Sequence, residues 1–171
     1  KLAAVSHSLK HLSRPLIVVN LFAADVLRRW PIGHAVASIG HVVSHFDASI
    51  MINSGPDART YHAQSCAMLA ASGLANNIVD TDTLWRGIES DIALYHLADA
   101  YLGVDSFSAN LAMNCNLKSA VLFHTEGDVL NYRGDNAPLV PASLSGGTEQ
   151  PCLTDITSDQ IISALGRLLA H

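Results

Sequence analysis

Short apolar runs rich in β-branched residues alternate along this chain with longer segments of helical periodicity. The first run is Leu16–Asn20, and between Ile32 and Phe46 the apolar residues recur every three or four positions, as on one face of a helix. The same alternation continues to the C-terminus. Further strands are predicted at 48–53, 77–80, 101–104 and 120–123, and further helices at 57–72, 84–99, 106–114 and 157–170. This order is typical of a parallel sheet with helices on both faces.

We therefore predict an α/β fold with five or six parallel, or nearly all parallel, strands. Ligands of such folds bind outside the carboxyl ends of the strands. The loops where a site is expected are those after Asn20, Asn53, Val104 and Phe123. Residues 1–14 are predicted to form a linker or interdomain helix, and 125–151 a loop-rich stretch without a strong period.

Composition narrows the functional classes. The 171 residues fit one domain, and 49% hydrophobic residues suffice for a packed core. A formal net charge of −5 gives no electrostatic reason to expect nucleic acid binding. No apolar run approaches the about 18 residues that a transmembrane helix needs. Three widely spaced cysteines argue against a disulfide framework or a zinc knuckle and favour a reducing compartment.

The segment 97–106 is the best candidate for a binding site. It is predicted to pass from a helix through a tight turn into a strand, and then into the N-terminus of another helix. A helix N-terminus offers unpaired N–H groups and a partial positive charge, which suit a phosphate. Ser106 and Ser108 would add hydroxyl groups, and Gly103 would allow close approach of the backbone. The alternative is that Asp105 simply caps the helix.

The same residues resemble a known family. The run Ala98-Asp99-Ala100-Tyr101-Leu102-Gly103-Val104-Asp105-Ser106 resembles the donor-site motif of glycosyltransferase family nine, the ADP-heptose:lipopolysaccharide heptosyltransferases. Arg28-Arg29-Trp30-Pro31, which follows the first strand, is similar to the family's Lys-x-Trp-Pro box. The resemblance covers roughly 15–171. It implies that these residues form the C-terminal, nucleotide-sugar-binding domain, a Rossmann-like half of a GT-B glycosyltransferase.

The resemblance assigns roles to individual residues. Arg28 takes the place of a lysine that pairs with the donor phosphates, although two exposed arginines beside a buried Trp30 remain an alternative. Arginine suits this role because its planar fork binds phosphate oxygens in bidentate fashion. Asp57 falls near an acidic residue that contacts the nucleoside, and it is equally suited to cap a helix. Asp105 and Ser106 match the family's Asp-Ser or Asp-Thr at the diphosphate.

Two of the positions that depart from the family pattern lie just after Ser106. The family has Gly where this chain has Phe107, and His where it has Asn110. A phenylalanine either blocks the approach of the diphosphate or turns away to pack on neighbouring helices. We expect it to turn away, because an apolar ring favours burial over facing a charged ligand.

By resemblance, the function is an inverting, metal-independent transfer of a sugar from a nucleotide diphosphate donor, with ADP-heptose as the model donor. No cofactor is implied. The acceptor is a lipopolysaccharide or other glycan, or a lipid-linked acceptor, held by an N-terminal domain. That domain would also supply the general base, so the catalytic residue is unknown and this part alone would bind donor without turnover. The location implied is cytoplasmic, peripheral to the inner membrane.

Two alternatives stay open. One is a non-catalytic nucleotide-binding or scaffolding domain derived from such enzymes, which Phe107 and Asn110 favour. The other is an unrelated Rossmann-like regulator that binds a different nucleotide. No P-loop, GxSxG or GxGxxG motif supports an NTPase, a serine hydrolase or a standard NAD enzyme.

The histidines give weaker signals. His34, His41 and His45 share one face of a predicted helix. His41 and His45 have the spacing of a zinc-binding pair, but no third ligand lies nearby in sequence, so we interpret this face as solvated and predict no metal site. His124, at the carboxyl end of a predicted strand, is the histidine retained as a possible site residue.

Overall fold

Six short strands form the sheet that the alternating pattern predicts. The computed structural model describes residue 9 and residues 12–55, 58–81, 87–125, 129, 136–139 and 152–170. The strands are β1 (Leu16–Asn20), β2 (Ser49–Ile52), β3 (Ile78–Asp80), β4 (Ala100–Val104), β5 (Ser119–Leu122) and β6 (Ala137–Leu139). Their order in the sheet is β3-β2-β1-β4-β5-β6, and every neighbouring pair is parallel.

Five α-helices lie entirely within the described residues. They are α1 (Ile32–Phe46), α2 (Arg59–Leu69), α3 (Ile88–Leu97), α4 (Phe107–Asn114) and α5 (Ser158–Leu169). In the part of the chain that the structure describes, no helix is both long and apolar enough to cross a membrane.

The core lies in two layers, one on each face of the sheet. Ile17 and Val19 of β1 pack in one layer, together with apolar residues of α1 and α5. Leu16 and Val18 pack in the other, with residues of α3 and α4. Because helices cover both faces, every residue of β1 is buried, and the strand is a continuous apolar run rather than an alternating one.

The sheet has a switch point between β1 and β4. From β1 the chain passes through α1 to β2 on one side, whereas from β4 it passes through α4 to β5 on the other side. The loops that leave β1 and β4 therefore diverge, and a crevice forms at their carboxyl ends. This is the Rossmann-like arrangement.

The ends of the helices follow the local sequence. Gly73 was predicted to stop the second helix, and it adopts a left-handed conformation (φ 82°) just after α2, which glycine tolerates without strain. Thr157 and Gln160 form a capping box at the start of α5.

Strand β6 was missed by sequence reasoning, which assigned this stretch to loop. It has three residues, lies at the edge of the sheet beside β5, and contains Pro138. So short a strand carries no detectable period, and proline is tolerated there because an edge strand need not donate every ladder hydrogen bond.

Candidate functional site at the switch point

An ion pair joins the two loops that flank the switch point. Arg28 ends a short 3-10 turn, Val26–Arg28, in the loop after β1. Its Nη1 donates to Oδ2 of Asp105, which directly follows β4, at 2.8 Å. The Asp105 side chain is 14% exposed and that of Arg28 37% exposed. The two residues that the sequence singled out separately, 77 positions apart, are therefore in direct contact.

Ser106 caps α4. Its hydroxyl oxygen accepts a hydrogen bond from the backbone N–H of Ala109 at 3.4 Å. The alternative that Asp105 caps this helix is therefore wrong, because Asp105 is turned toward Arg28 while the next residue takes the capping position. The N-terminus of α4 thus lies at the carboxyl edge of the sheet, beside the Arg28–Asp105 pair.

Asn20, the last residue of β1, connects the two sides of the crevice. Its side-chain amide donates to Oγ of Ser106 at 3.1 Å, and its amide oxygen accepts from the N–H of Phe22 at 2.9 Å. Asn20 is 3% exposed. From the sequence, Asn20 was expected only to end a strand; the available signal was a polar residue at the end of an otherwise apolar run.

Three further residues of α4 were expected to contact a ligand, and two of them bond within the protein. The Asn110 amide donates to the carbonyl oxygen of Ser106 at 3.0 Å. Ser108 hydrogen-bonds to the hydroxyl of Tyr95. Burial raises the pKa of Tyr95 to about 12, against the opposing effect of hydrogen bonds from Ser108 and Asn53.

Phe107 departs from the expectation that its ring is buried against neighbouring helices. It is 67% exposed. It is the first residue of α4 and does not belong to the core cluster that α4 joins. The stated reason, that an apolar ring favours burial, was therefore wrong for this residue.

Arg29 holds the loop after β1 in place rather than lying exposed beside Trp30. Its Nε donates to the carbonyl of Ala23 at 2.8 Å and its Nη2 to the carbonyl of Ala24 at 3.1 Å. The guanidinium carbon lies 4.5 Å from the centre of the Phe22 ring. This loop carries Arg28, so Arg29 helps to position the arginine that pairs with Asp105.

Trp30 is fully buried at the start of α1, as expected. Its indole Nε1 donates to Nδ1 of His34 at 2.8 Å. The interpretation of His34 as part of a solvated face is thus wrong. Burial lowers the pKa of His34, with the Asp155 carboxylate acting in the opposite direction, and the bond from Trp30 likewise requires an unprotonated Nδ1.

The structure says less about two other residues that were expected at the site. Asp57 lies outside the described residues. His124 follows β5 at the carboxyl edge and is half-buried, and among the described residues its Nδ1 has no hydrogen-bond partner.

A second group at the carboxyl edge escaped sequence reasoning. Next to the switch point, a small cavity at the ends of β1 and β2 is lined by residues that include Phe22, Asn53, Ser54 and His62. His62 is buried and lies between Ser54 and Asp80. A wider groove at the opposite, amino edge is lined by residues such as Arg14 and Lys118, and it is remote from the switch point.

No family model matches the sequence, and no curated protein matches it either. Solved structures do match in fold. The Escherichia coli ADP-heptose LPS heptosyltransferase II superposes with a TM-score of 0.75 at 16% identity, over 99% of this chain and 51% of that chain. For the E. coli heptosyltransferase WaaC with ADP, the TM-score is 0.68 at 15% identity, over 97% and 49% of the two chains.

A UDP-GlcNAc 2-epimerase from Methanocaldococcus jannaschii also matches, with a TM-score of 0.64 at 14% identity, over 99% of this chain and 43% of that chain. Identities this low show a shared Rossmann-like fold. The chain spans about half the length of the heptosyltransferase chains that it matches. The fold therefore resembles part of a glycosyltransferase, and it is one that an epimerase acting on a nucleotide sugar also has.

Proposed function

We propose that this chain is the donor-binding half of a GT-B glycosyltransferase and binds a nucleotide diphosphate sugar such as ADP-heptose. The observation that carries the proposal is the contact between Arg28 and Asp105 beside the N-terminus of α4, at the switch point. A cation and a helix N-terminus at the carboxyl edge of the sheet are both suited to bind a diphosphate, because each attracts negative charge. The solved heptosyltransferases with the same fold, one of them with ADP, support the choice of ligand.

The ion pair is compatible with a phosphate ligand. A guanidinium carries five N–H donors, so one group can bind Asp105 through Nη1 and a phosphate oxygen at the same time; Asp25, 3.8 Å from Nε, is a further acidic neighbour. Asp105 would then hold the Arg28 side chain in position rather than compete for it. The N–H groups of the first turn of α4 would add a second set of donors.

In the reaction that the resemblance implies, these groups would act on the leaving diphosphate. Negative charge develops there as the sugar is transferred, and Arg28 together with the start of α4 would stabilise it. The transfer would be inverting and independent of a metal ion. The general base and the glycan or lipid-linked acceptor would belong to a second domain, on the cytoplasmic side of a membrane. We therefore expect the chain alone to bind donor without turnover.

A second candidate is a binding domain without catalysis, and the arrangement of α4 favours it. Asn110, which replaces the family's histidine, is engaged with the carbonyl of Ser106. Phe107, which replaces a glycine, places an exposed ring at the start of the helix. With both features, this chain offers the diphosphate fewer contacting groups than the family motif would supply.

Calorimetry with ADP and a series of variants tests the proposal. Arg28→Ala should weaken ADP binding by about 1.5–3 kcal/mol, the size of a hydrogen bond to a charged group, which is about 10- to 150-fold in Kd. Arg167→Ala is the matched control, since this arginine of α5 bonds to Ser163 of its own helix. Unchanged affinity in a folded Arg28→Ala protein, or no binding of ADP by the native chain, would contradict the proposal.

The double variant Arg28→Ala/Asp105→Asn separates two causes of a loss. Removing Arg28 alone leaves the Asp105 carboxylate without this cation, and that charge would repel a diphosphate. If Arg28 contacts the phosphates directly, the double variant should regain at most part of the lost affinity and still bind more weakly than the native chain. If affinity returns to the native value, Arg28 acts only by neutralising Asp105.

A further inference from the structure

A buried histidine outside the switch point lies among potential metal ligands. His62, in the first half of α2, is 6% exposed. Its Nε2 lies 2.7 Å from Oδ1 of Asp80, the last residue of β3. The Sγ of Cys66, one helical turn further along α2, lies 3.5 Å from the same nitrogen. An imidazole nitrogen, a thiol and a carboxylate from two elements thus converge on one point.

The geometry of this group suits a small tetrahedral ion. The three ligand atoms all lie within 4.8 Å of one another. Zinc binds nitrogen, sulfur and oxygen ligands at about 2.0–2.3 Å, so tetrahedral ligands are about 3.4 Å apart. The distance of 3.5 Å between His62 and Cys66 already fits. Asp80, whose side chain is 33% exposed, would need to move outward by less than about 1 Å to admit the ion.

Ser54 supplies the support that a metal-binding histidine requires. Its Oγ lies 2.6 Å from Nδ1 of His62. When this oxygen accepts the Nδ1–H, the lone pair of Nε2 faces Cys66 and Asp80, as ligation demands. Such an outer hydrogen bond fixes both the tautomer and the orientation of the ring.

We propose that His62, Cys66 and Asp80 form a zinc-binding site, with Ser54 orienting the histidine and solvent as the fourth ligand. Cys66 is half-buried and Asp80 partly exposed, so an ion can enter from their side while His62 stays buried. Three protein ligands with one open position are typical of zinc sites that retain a bound water. The site lies at the β2–β3 end of the sheet, and it does not depend on donor binding between β1 and β4.

The sequence prediction of no metal site rested on His41 and His45, which have no third ligand nearby. The same spacing of four residues joins His62 and Cys66, and Asp80 is the last residue of a predicted strand. Only the fold brings Asp80 beside the helix, because β2 and β3 are neighbours in the sheet.

Titration of the metal-stripped chain with Zn²⁺, and separately with Co²⁺, tests the site. We expect one ion per chain and a thiolate-to-cobalt charge-transfer band in the near ultraviolet. Cys66→Ser should abolish the band and weaken Zn²⁺ binding at least about tenfold, and Ser54→Ala should keep the band but weaken binding by about 10–100-fold. Cys115→Ser and Cys152→Ser are the matched controls and should change neither.

Two results would overturn the proposal. One is the absence of stoichiometric Zn²⁺ binding by the native chain, which would leave these residues as a hydrogen-bonded cluster only. The other is an unaltered cobalt band in Cys66→Ser. If Cys66→Ser fails to fold, Asp80→Asn takes its place. It keeps a polar side chain of the same size, and zinc affinity equal to that of the native chain would count against the site.

Discussion

Replacing Gly103 with alanine tests how tightly the switch point is built. Gly103 pairs with Asn20 across β1 and β4. A Cβ at this position would lie 2.5 Å from the carbonyl oxygen of Asn20 and 2.6 Å from the Tyr101 hydroxyl. The Tyr101 side chain is fully buried in the core, and the Asn20 carbonyl belongs to the central ladder. An ordinary contact is therefore regained only if β1 and β4 separate.

The expected cost of Gly103→Ala is about 2–3 kcal/mol, the upper part of the range for overpacking, because the clash is with backbone. For a chain of this size, that lowers Tm by roughly 5–10 °C. Urea unfolding followed by circular dichroism measures the change through the midpoint, at unchanged m-value. Gly166→Ala is the control. That glycine lies in α5, where a Cβ would meet nothing closer than the Phe46 ring at 4.0 Å, and the change should stabilise the protein by about 0.5–1 kcal/mol.

The same variant decides between two roles for Gly103. The sequence suggested that this glycine lets the backbone approach a phosphate, whereas in the structure the space beside it is filled by Asn20 and Tyr101. We expect a loss of stability, with ADP affinity retained at temperatures where the variant is folded. A Gly103→Ala protein as stable as the native chain but unable to bind ADP would refute this expectation.

Two other variants probe α4 and α1. Phe107→Ala should change the free energy of unfolding by no more than about 0.5 kcal/mol, because the ring is exposed; a loss above about 1 kcal/mol in urea unfolding would mean that the ring is packed. Burial lowers the pKa of His34 from its usual 6.5, so the folded state favours the neutral imidazole. The stability that the neutral His34 contributes is therefore complete above about pH 6.5 and is lost as the pH falls through the lower folded-state pKa. His34→Gln should therefore lose less stability than the native chain between about pH 7.5 and about pH 5, and identical pH profiles would contradict this.

The parallel sheet was predictable from sequence because its central strands are buried on both faces. Leu16–Asn20 is apolar except for its last residue, and that pattern leaves little choice of environment. A strand that lacks such a burial pattern is missed by the same argument. Strand β6 owes its place to pairing with β5, and three residues that include Pro138 carry no pattern of their own.

The candidate site was predictable only as a set of residue types. Arg28 and Asp105 were both singled out, but their mutual contact depends on the 3-10 turn after β1, which no periodicity signals. His34 was assigned to solvent from its helical position. Its bond to Trp30 depends on how deeply the indole is buried, and that depth is a property of the whole layer.

Arg28 can stabilise the fold through Asp105 and also bind the donor, so the structural and the functional interpretation of this ion pair do not exclude one another. Asp105 is the more buried partner, and a buried carboxylate without a cation is costly. Arg28 therefore contributes to the fold whether or not a ligand is present, and a loss of stability in Arg28→Ala would say nothing about function. Affinity for ADP in a variant that remains folded is thus the quantity that separates an arginine that only holds the crevice together from one that also binds the donor.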